Sequence, residues 1–120
     1  MLKKSMPVVF VIATDQKLRT AVWVELREFG IDALAMDSLD DAGRAFARGR
    51  MPGVIVLEAT PELVGNPAIQ NLVERLPTIL IASRTETVSL PSNTVVLYRP
   101  IAIGEIVTKV RELVAPRDAA

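Results

Sequence analysis

Four short apolar runs recur along the chain, at residues 8–12, 54–57, 78–81 and 94–98. Each run is nearly continuous in apolar, largely β-branched residues and does not alternate with polar ones. Strands that are covered on both faces of a sheet have this pattern, so the runs predict four buried strands. A weaker run at residues 33–36 predicts a fifth strand at an edge or flank of the same sheet.

The segments between these runs place apolar residues every three or four positions, which is typical of amphipathic helices. The predicted inner faces are Leu18, Val22, Leu26 and Phe29; Ala42, Ala45 and Phe46; Ile69, Leu72, Val73 and Leu76; and Ile103, Ile106, Val107, Val110, Leu113 and Val114. Gly30 and Gly49 end the first two helices, and Ser38 is a candidate N-cap of the second. Pro77 and Pro116 end the third helix and the last.

Strands that alternate with helices predict parallel pairing through right-handed crossovers, and therefore a single layered α/β domain. The connection before the last strand, residues 83–93, is rich in Ser and Thr and contains Pro91. This composition favours a loop or one helical turn over a full helix. We expect one domain over residues 1–120, with its core at 7–115 and a flexible tail at 116–120.

Composition and charge exclude several classes of protein. The chain has 120 residues, 50% of them hydrophobic, and its 14 basic and 14 acidic side chains give a net charge of zero. Balanced charge argues against a nucleic-acid-binding surface and a basic membrane-binding patch. No apolar run approaches the roughly 18 residues of a membrane-spanning helix, and no secretory signal is recognised, so we expect a cytoplasmic protein. The absence of Cys and His removes thiol chemistry and the commonest general base, so we do not expect an enzyme.

Candidate chemistry lies where the strands end, because the carboxyl ends of parallel strands form the functional edge of such a sheet. Three segments are informative there: Thr14-Asp15-Gln16-Lys17-Leu18-Arg19, residues 50–58, and Tyr98-Arg99-Pro100-Ile101 with residues 105–106 and 110–113. In order and spacing, over nearly the whole chain, they resemble the receiver domains of bacterial response regulators. The resemblance implies a flavodoxin-like (βα)5 three-layer sandwich with a parallel five-stranded sheet in the order 2-1-3-4-5, its fourth helix shortened or lost.

The resemblance also implies a phosphoryl-transfer site, most of whose parts this chain lacks. In receiver domains, two carboxylates after the first strand and an acceptor Asp after the third hold Mg²⁺. The acidic pair falls here on Ala13 and Thr14, and the acceptor falls on Glu58. The resemblance therefore implies a degenerate phosphorylation site with no resident metal.

Two further positions of that site normally contact the phosphoryl group directly. The hydroxyl position after the fourth strand falls on Ala82, with Ser83 beside it, and the lysine after the fifth strand falls on Arg99. Pro100, which follows the lysine position, is retained, and in the family the peptide bond before it is typically cis.

Two residues at this edge each allow two interpretations. A register shifted by one would make Asp15 part of the acidic pair, whereas the simpler interpretation is an N-cap of the first helix. Glu58 either imitates a phosphoryl group with fixed negative charge or pairs with a nearby cation, for which Arg99 is well placed. The two interpretations of Glu58 are compatible, since such a pair could lock one conformation.

These departures predict a pseudo-receiver that works by protein–protein contact in two-component or phosphorelay signalling. The partner face implied by the resemblance comprises Val96, Tyr98, Ile103, Glu105 and Lys109. Expected partners are a histidine kinase, an output domain or another regulator, and a homodimer is possible through the same face. We expect no cofactor, and no contact of this domain with nucleic acid or a membrane.

Two other functions stay open at this stage. Asp15, Glu58 and Ser83 could form an unconventional phosphoacceptor site. A nucleotide- or flavin-binding α/β protein is less favoured, because no Gly-rich loop follows the first strand to hold a phosphate.

Three features outside this edge have ordinary interpretations. Trp23 lies off the inner stripe of the first helix and is predicted to be an exposed aromatic residue. Arg44, Arg48 and Arg50 predict a solvated basic face. Gly43 weakens the second helix by about 1 kcal/mol relative to Ala and is predicted to permit close packing.

Overall fold

The computed structural model describes residues 8–61, 65–83 and 93–114, and these residues form one sheet flanked by helices. The elements are β1 (Val8–Ile12), α1 (Gln16–Glu28), β2 (Ala33–Met36), α2 (Leu39–Ala47), β3 (Pro52–Glu58), α3 (Pro67–Arg75), β4 (Thr78–Ala82), β5 (Thr94–Tyr98) and α4 (Ile103–Val114). All strand pairs are parallel, and the strand order is β2-β1-β3-β4-β5. The predicted strands and their order are therefore confirmed.

The sheet separates two apolar layers, because successive side chains of a strand point to opposite faces. On one face, side chains such as Val9 and Ile81 pack against α1 and α4. On the other face, Phe10 and Leu57 pack against α2 and α3. Strands β1, β3 and β4 supply both layers and are buried almost throughout, as their continuous apolar runs predict. The structure is thus the predicted three-layer α/β sandwich.

Local caps fix the ends of the first two helices as the sequence predicts. The Ser38 hydroxyl accepts a hydrogen bond from the backbone N–H of Asp41 at 3.3 Å, which caps the start of α2. Beyond α1, Gly30 adopts φ +76°, a conformation that L side chains rarely tolerate. Its N–H bonds to the carbonyl of Arg27 at 2.9 Å and closes the helix end.

Two residues predicted on inner helix faces are instead exposed. Phe29 is 50% exposed, because α1 ends at Glu28 and the Phe29 backbone has already left helical geometry, with φ −88° and ψ 8°. Its ring instead contacts the guanidinium of Arg111, whose carbon lies 4.2 Å from the ring centroid. Leu113 is 37% exposed, since it lies at the margin of the face that α4 turns to the sheet.

Trp23 is not the exposed aromatic residue that the sequence predicts. It is partly buried against the core layer beside α1 and α4. Its indole N–H donates to the carbonyl of Ala33 at 2.9 Å, so the side chain bridges α1 and β2. Helical periodicity cannot reveal this contact, because it depends on where β2 lies beside the helix.

The second helix and the turn that follows it carry exposed basic residues, and the helix has open space at its glycine. Arg44, Arg48 and Arg50 are all exposed, as expected for a solvated face. A Cβ added at Gly43 would meet no heavy atom within 4 Å, so the prediction of close packing there is wrong.

Some sequence predictions fall outside the residues that the structure describes. They concern most of the connection 83–93, the limits of the core at 7 and 115, the tail 116–120 and the side chain of Phe46. Over the residues that are described, no helix combines the length and apolar character needed to cross a bilayer.

Two threonines that face each other across β4 and β5 provide a matched stability test. Thr78 donates its hydroxyl to the carbonyl of Leu76 at 3.0 Å, whereas the buried hydroxyl of Thr94 has no partner among the described residues. We expect Thr94→Val to raise the free energy of unfolding by about 1 kcal/mol, since it removes an unsatisfied polar group. Thr78→Val should lower it by about 1 kcal/mol. Urea denaturation measures both, and equal effects of the two changes would contradict the assignment.

Candidate functional site

The carboxyl ends of four parallel strands bring the predicted site residues to one edge of the sheet. Thr14 and Asp15 follow β1, and Glu58 is the last residue of β3. Ala82 ends β4, and Arg99 directly follows β5. The strand register sets these positions, because Leu57 pairs with Ile12 and Tyr98 pairs with Ala82. The structure therefore gathers the residues that the resemblance singled out.

Glu58 lies at the centre of this edge and is only 8% exposed. Its Oε1 accepts hydrogen bonds from the backbone N–H of Thr14 at 2.7 Å, the Thr14 hydroxyl at 2.9 Å and the backbone N–H of Asp15 at 3.1 Å. Its Oε2 accepts a hydrogen bond from Nη2 of Arg99 at 2.8 Å. Donors from two separate segments thus surround both carboxylate oxygens. The predicted pairing of Glu58 with Arg99 is present, and it is charge-assisted.

Asp15 is the N-cap of α1. Its Oδ1 accepts from the backbone N–H groups of Lys17 at 3.0 Å and Leu18 at 3.2 Å, with the Asp15 backbone extended at φ −71° and ψ 111°. Its Oδ2 lies 4.0 Å from Nη1 of Arg99, at the outer limit of an ion pair. Of the two interpretations of Asp15, the structure shows the N-cap. Ala13, which precedes Thr14, is buried in the core.

Arg99 connects the last strand to this edge. Its guanidinium reaches toward both carboxylates, Glu58 closely and Asp15 at the limit. Its backbone N–H donates to the carbonyl of Ala82 at 2.8 Å, which continues the β4–β5 pairing by one residue. The peptide bond between Arg99 and Pro100 is cis, as the resemblance implies.

Arg19 also belongs to the site, although its residue type alone did not indicate this. Its Nη1 donates to the carbonyl of Ala13 at 2.8 Å. The guanidinium therefore links the first turns of α1 to the loop that precedes the helix. The sequence signal is an Arg placed one turn inside a helix that follows a strand end. Arg19 and Arg99 together bring two positive charges to an edge that holds two carboxylates, Asp15 and Glu58.

The position after the fourth strand, where the resemblance implies a hydroxyl, is apolar in this chain. Ala82 is 1% exposed and lies in the core layer beside α2 and α3. Ser83 follows it as a half-buried residue at the end of the strand. The methyl group of Ala82 provides no hydrogen-bond donor for an oxyanion at this edge.

The residues present do not fit the Mg²⁺ that the receiver fold implies. Mg²⁺ needs carboxylate oxygens with free lone pairs and octahedral room. Here Oε1 of Glu58 accepts three hydrogen bonds and Oε2 accepts one from Arg99. Oδ1 of Asp15 caps a helix, its Oδ2 lies 4.0 Å from Arg99, and Ala13 offers no side-chain ligand. The guanidinium of Arg99 already supplies positive charge against Glu58. In the described part of the chain, no three carboxylates are grouped as metal ligands.

The residues predicted as a partner face lie on both sides of β5. Val96 packs toward α2 and α3, whereas Ile103, the first residue of α4, packs against the core layer on the opposite face of the sheet. Tyr98 is 47% exposed at the end of the strand. Glu105 and Lys109 line an open depression of about 370 Å³ between β5 and α4.

The Glu58–Arg99 contact provides a test of how the site is held. We expect Arg99→Gln to lower the free energy of unfolding by about 2 kcal/mol, because a buried carboxylate loses its charged donor. Arg44→Gln is the matched control, since Arg44 contacts Asp41 at the same 2.8 Å but is 71% exposed. It should change stability by less than about 0.5 kcal/mol. Urea denaturation measures both, and equal losses would show that burial is irrelevant here.

No protein-family model matches the sequence, and no curated protein matches it either. Solved structures match through their fold. A response regulator receiver protein from Burkholderia phymatum superposes with a TM-score of 0.72 at 16% identity, over 95% of this chain and 99% of that one. A response regulator receiver protein from Sinorhizobium medicae superposes with a TM-score of 0.70 at 14% identity, over 95% of this chain and 98% of that one. The Francisella response regulator 1452 receiver domain superposes with a TM-score of 0.64 at 21% identity, over 89% of this chain and 95% of that one. The chain therefore has the fold of receiver domains.

Proposed function

We propose that this chain is a receiver-like signalling module that acts through protein–protein contact and does not accept a phosphoryl group. The engagement of Glu58 is the observation that carries the proposal. A phosphoacceptor needs a carboxylate oxygen that is free to attack phosphorus, with a cation beside it to neutralise the incoming charge. Both oxygens of Glu58 are instead hydrogen-bonded, one of them to Arg99 at 2.8 Å.

The balance of charge at the edge supports the same conclusion. Three carboxylates at one site repel one another, and a divalent cation relieves that repulsion. This chain has two carboxylates there, Asp15 and Glu58, and the guanidinium groups of Arg19 and Arg99 lie at the same edge. A site that is neutral without a metal has little electrostatic affinity for one.

Ala82 lacks the hydroxyl that a conformational response to phosphorylation would need. A hydroxyl that moves toward a bound phosphoryl group changes the energy of two conformations, and Ala has no such group. Such a module would transmit a signal through the partner protein that it binds. We infer a histidine kinase, an output domain or another regulator as its partner, in a cytoplasmic two-component or phosphorelay pathway.

The proposed contact surface is the margin formed by β5 and α4. Tyr98 supplies an exposed aromatic ring there, and Glu105 and Lys109 supply opposite charges one helical turn apart. Two copies related by a two-fold axis could place Glu105 of one against Lys109 of the other. Ile103 would support this surface from within, whereas Val96 lies on the opposite face of β5.

Incubation with acetyl phosphate and Mg²⁺ tests the loss of phosphotransfer. We expect the intact mass of the wild-type chain to stay unchanged, because Glu58 is held and no acidic pair is present. A receiver domain with a complete acidic site serves as the positive control. Millimolar Mg²⁺ should also leave the fluorescence of Trp23 unchanged. A gain of one phosphoryl group that disappears in Glu58→Gln would refute the proposal and favour the unconventional acceptor.

A charge exchange tests the proposed homodimer. If two copies pair through α4, Glu105→Lys should weaken the dimer severalfold, because two like charges then face each other. Glu105→Lys combined with Lys109→Glu should restore it, since every pair is again opposite in sign. Sedimentation velocity over a concentration series measures the association. A dimer that the single change leaves intact would place the interface elsewhere, and a chain that stays monomeric throughout would exclude self-association.

A further inference from the structure

Strand β2 forms an open edge of the sheet, because among the described strands it pairs with β1 alone. In a parallel pair, the backbone groups of alternate residues point toward the neighbouring strand, and those of the residues between them point away. The N–H of Val9 donates to the carbonyl of Asp32 at 2.9 Å, so Asp32 is a residue that points toward β1. Ala33 and Ala35 therefore direct their N–H and carbonyl groups outward, away from the sheet.

The indole of Trp23 covers one of these outward groups. Its N–H donates to the carbonyl of Ala33 at 2.9 Å. Arg27, one helical turn further along α1, contacts both the ring and the strand end. Its guanidinium carbon lies 5.5 Å from the centroid of the Trp23 ring, and its Nη1 lies 3.5 Å from Oδ1 of Asp32. The ring is therefore held at the edge by α1, whereas the outward groups of Ala35 have no hydrogen bond within the described part of the chain.

The sequence of β2 leaves this edge without the usual protection against pairing with another molecule. Charged residues and proline commonly block exposed edge strands, and the run Ala33-Leu34-Ala35-Met36 contains neither. An identical strand fits such an edge, because antiparallel pairing about Leu34 places Ala33 of each copy opposite Ala35 of the other. In that pairing, the N–H of Ala35 donates to the Ala33 carbonyl of the second copy. This is the carbonyl that Trp23 occupies.

We propose that the outer edge of β2 is a latent self-pairing surface and that Trp23 keeps it closed. The indole takes the Ala33 carbonyl, and its ring lies beside that carbonyl, where the strand of a second copy would pair. Arg27 is a positioning residue, which acts by holding the ring. The surface is distinct from the proposed contact at β5 and α4, since β2 and β5 lie at opposite ends of the strand order.

The test removes the indole N–H and keeps an aromatic ring on α1. We expect Trp23→Phe to strengthen self-association at least about tenfold over the wild-type chain, because each copy regains a hydrogen-bond acceptor for the other. Sedimentation velocity over a concentration series measures this association. Hydrogen–deuterium exchange locates it: the amide of Ala35 should exchange freely in the wild-type chain and be protected in associated Trp23→Phe.

Two second changes show where the copies meet. Ala35→Pro removes an outward N–H that makes no bond within the sheet, so Trp23→Phe combined with Ala35→Pro should return to wild-type association. Trp23→Phe combined with Glu105→Lys should stay associated, since Glu105 lies on α4. Association that survives Ala35→Pro, or an Ala35 amide that stays unprotected, would overturn the inference. A folded Trp23→Phe chain that associates no more than the wild type would overturn it as well.

Arg27→Ala keeps the inference testable if urea denaturation shows that Trp23→Phe does not fold. The Arg27 side chain is 53% exposed, so its truncation leaves the core intact. Without the guanidinium the ring is held less firmly, and we expect severalfold stronger self-association together with protection of the Ala35 amide. A folded Arg27→Ala chain that associates no more than the wild type would then overturn the inference.

Discussion

The carboxylate of Glu58 joins three parts of the chain that are far apart in sequence. It ends β3, and its hydrogen bonds reach the loop before α1 and the residue after β5. Burying a carboxylate is costly unless its oxygens are paired, so losing these contacts would destabilise the fold. Moving Thr14 or Arg99 away from Glu58 would therefore cost free energy, because it would leave a buried carboxylate oxygen with fewer partners.

The same contact determines what the edge does chemically. A receiver site with three free carboxylates stores repulsion that a dication and a phosphoryl group can exploit. Here the repulsion is already relieved, because Arg99 contacts Glu58 and the loop amides take its other oxygen. The chain has the fold of receiver domains, whereas its two carboxylates at this edge lie beside the guanidinium of Arg99. Fold and site chemistry are thus separable in this chain, as they are in other widely used folds.

The sequence predicts the fold more completely than the site. Continuous apolar runs specify the buried strands, and parallel register then places Glu58 and Arg99 on nearby strand ends, so their pairing could be inferred before the structure. The roles of the Thr14 hydroxyl and of Arg19 could not, because they depend on the backbone angles of one loop. Trp23 and Phe29 were misplaced for a similar reason. One depends on the position of β2 beside α1, and the other on the residue at which α1 ends.

The intramolecular contacts of Glu58 have a consequence for signalling that follows from equilibrium alone. A ligand shifts the equilibrium between two conformations only by the difference in its affinity for them. A group that is bound in every molecule makes the same contribution at all times and therefore carries no signal. If the proposed function is right, the contacts of Glu58 are the same in every molecule and cannot report a change in phosphate supply. Any change of state must come from a molecule that binds one conformation better than the other. Under the proposed function that molecule is the protein partner, so recognition and switching would be the same event.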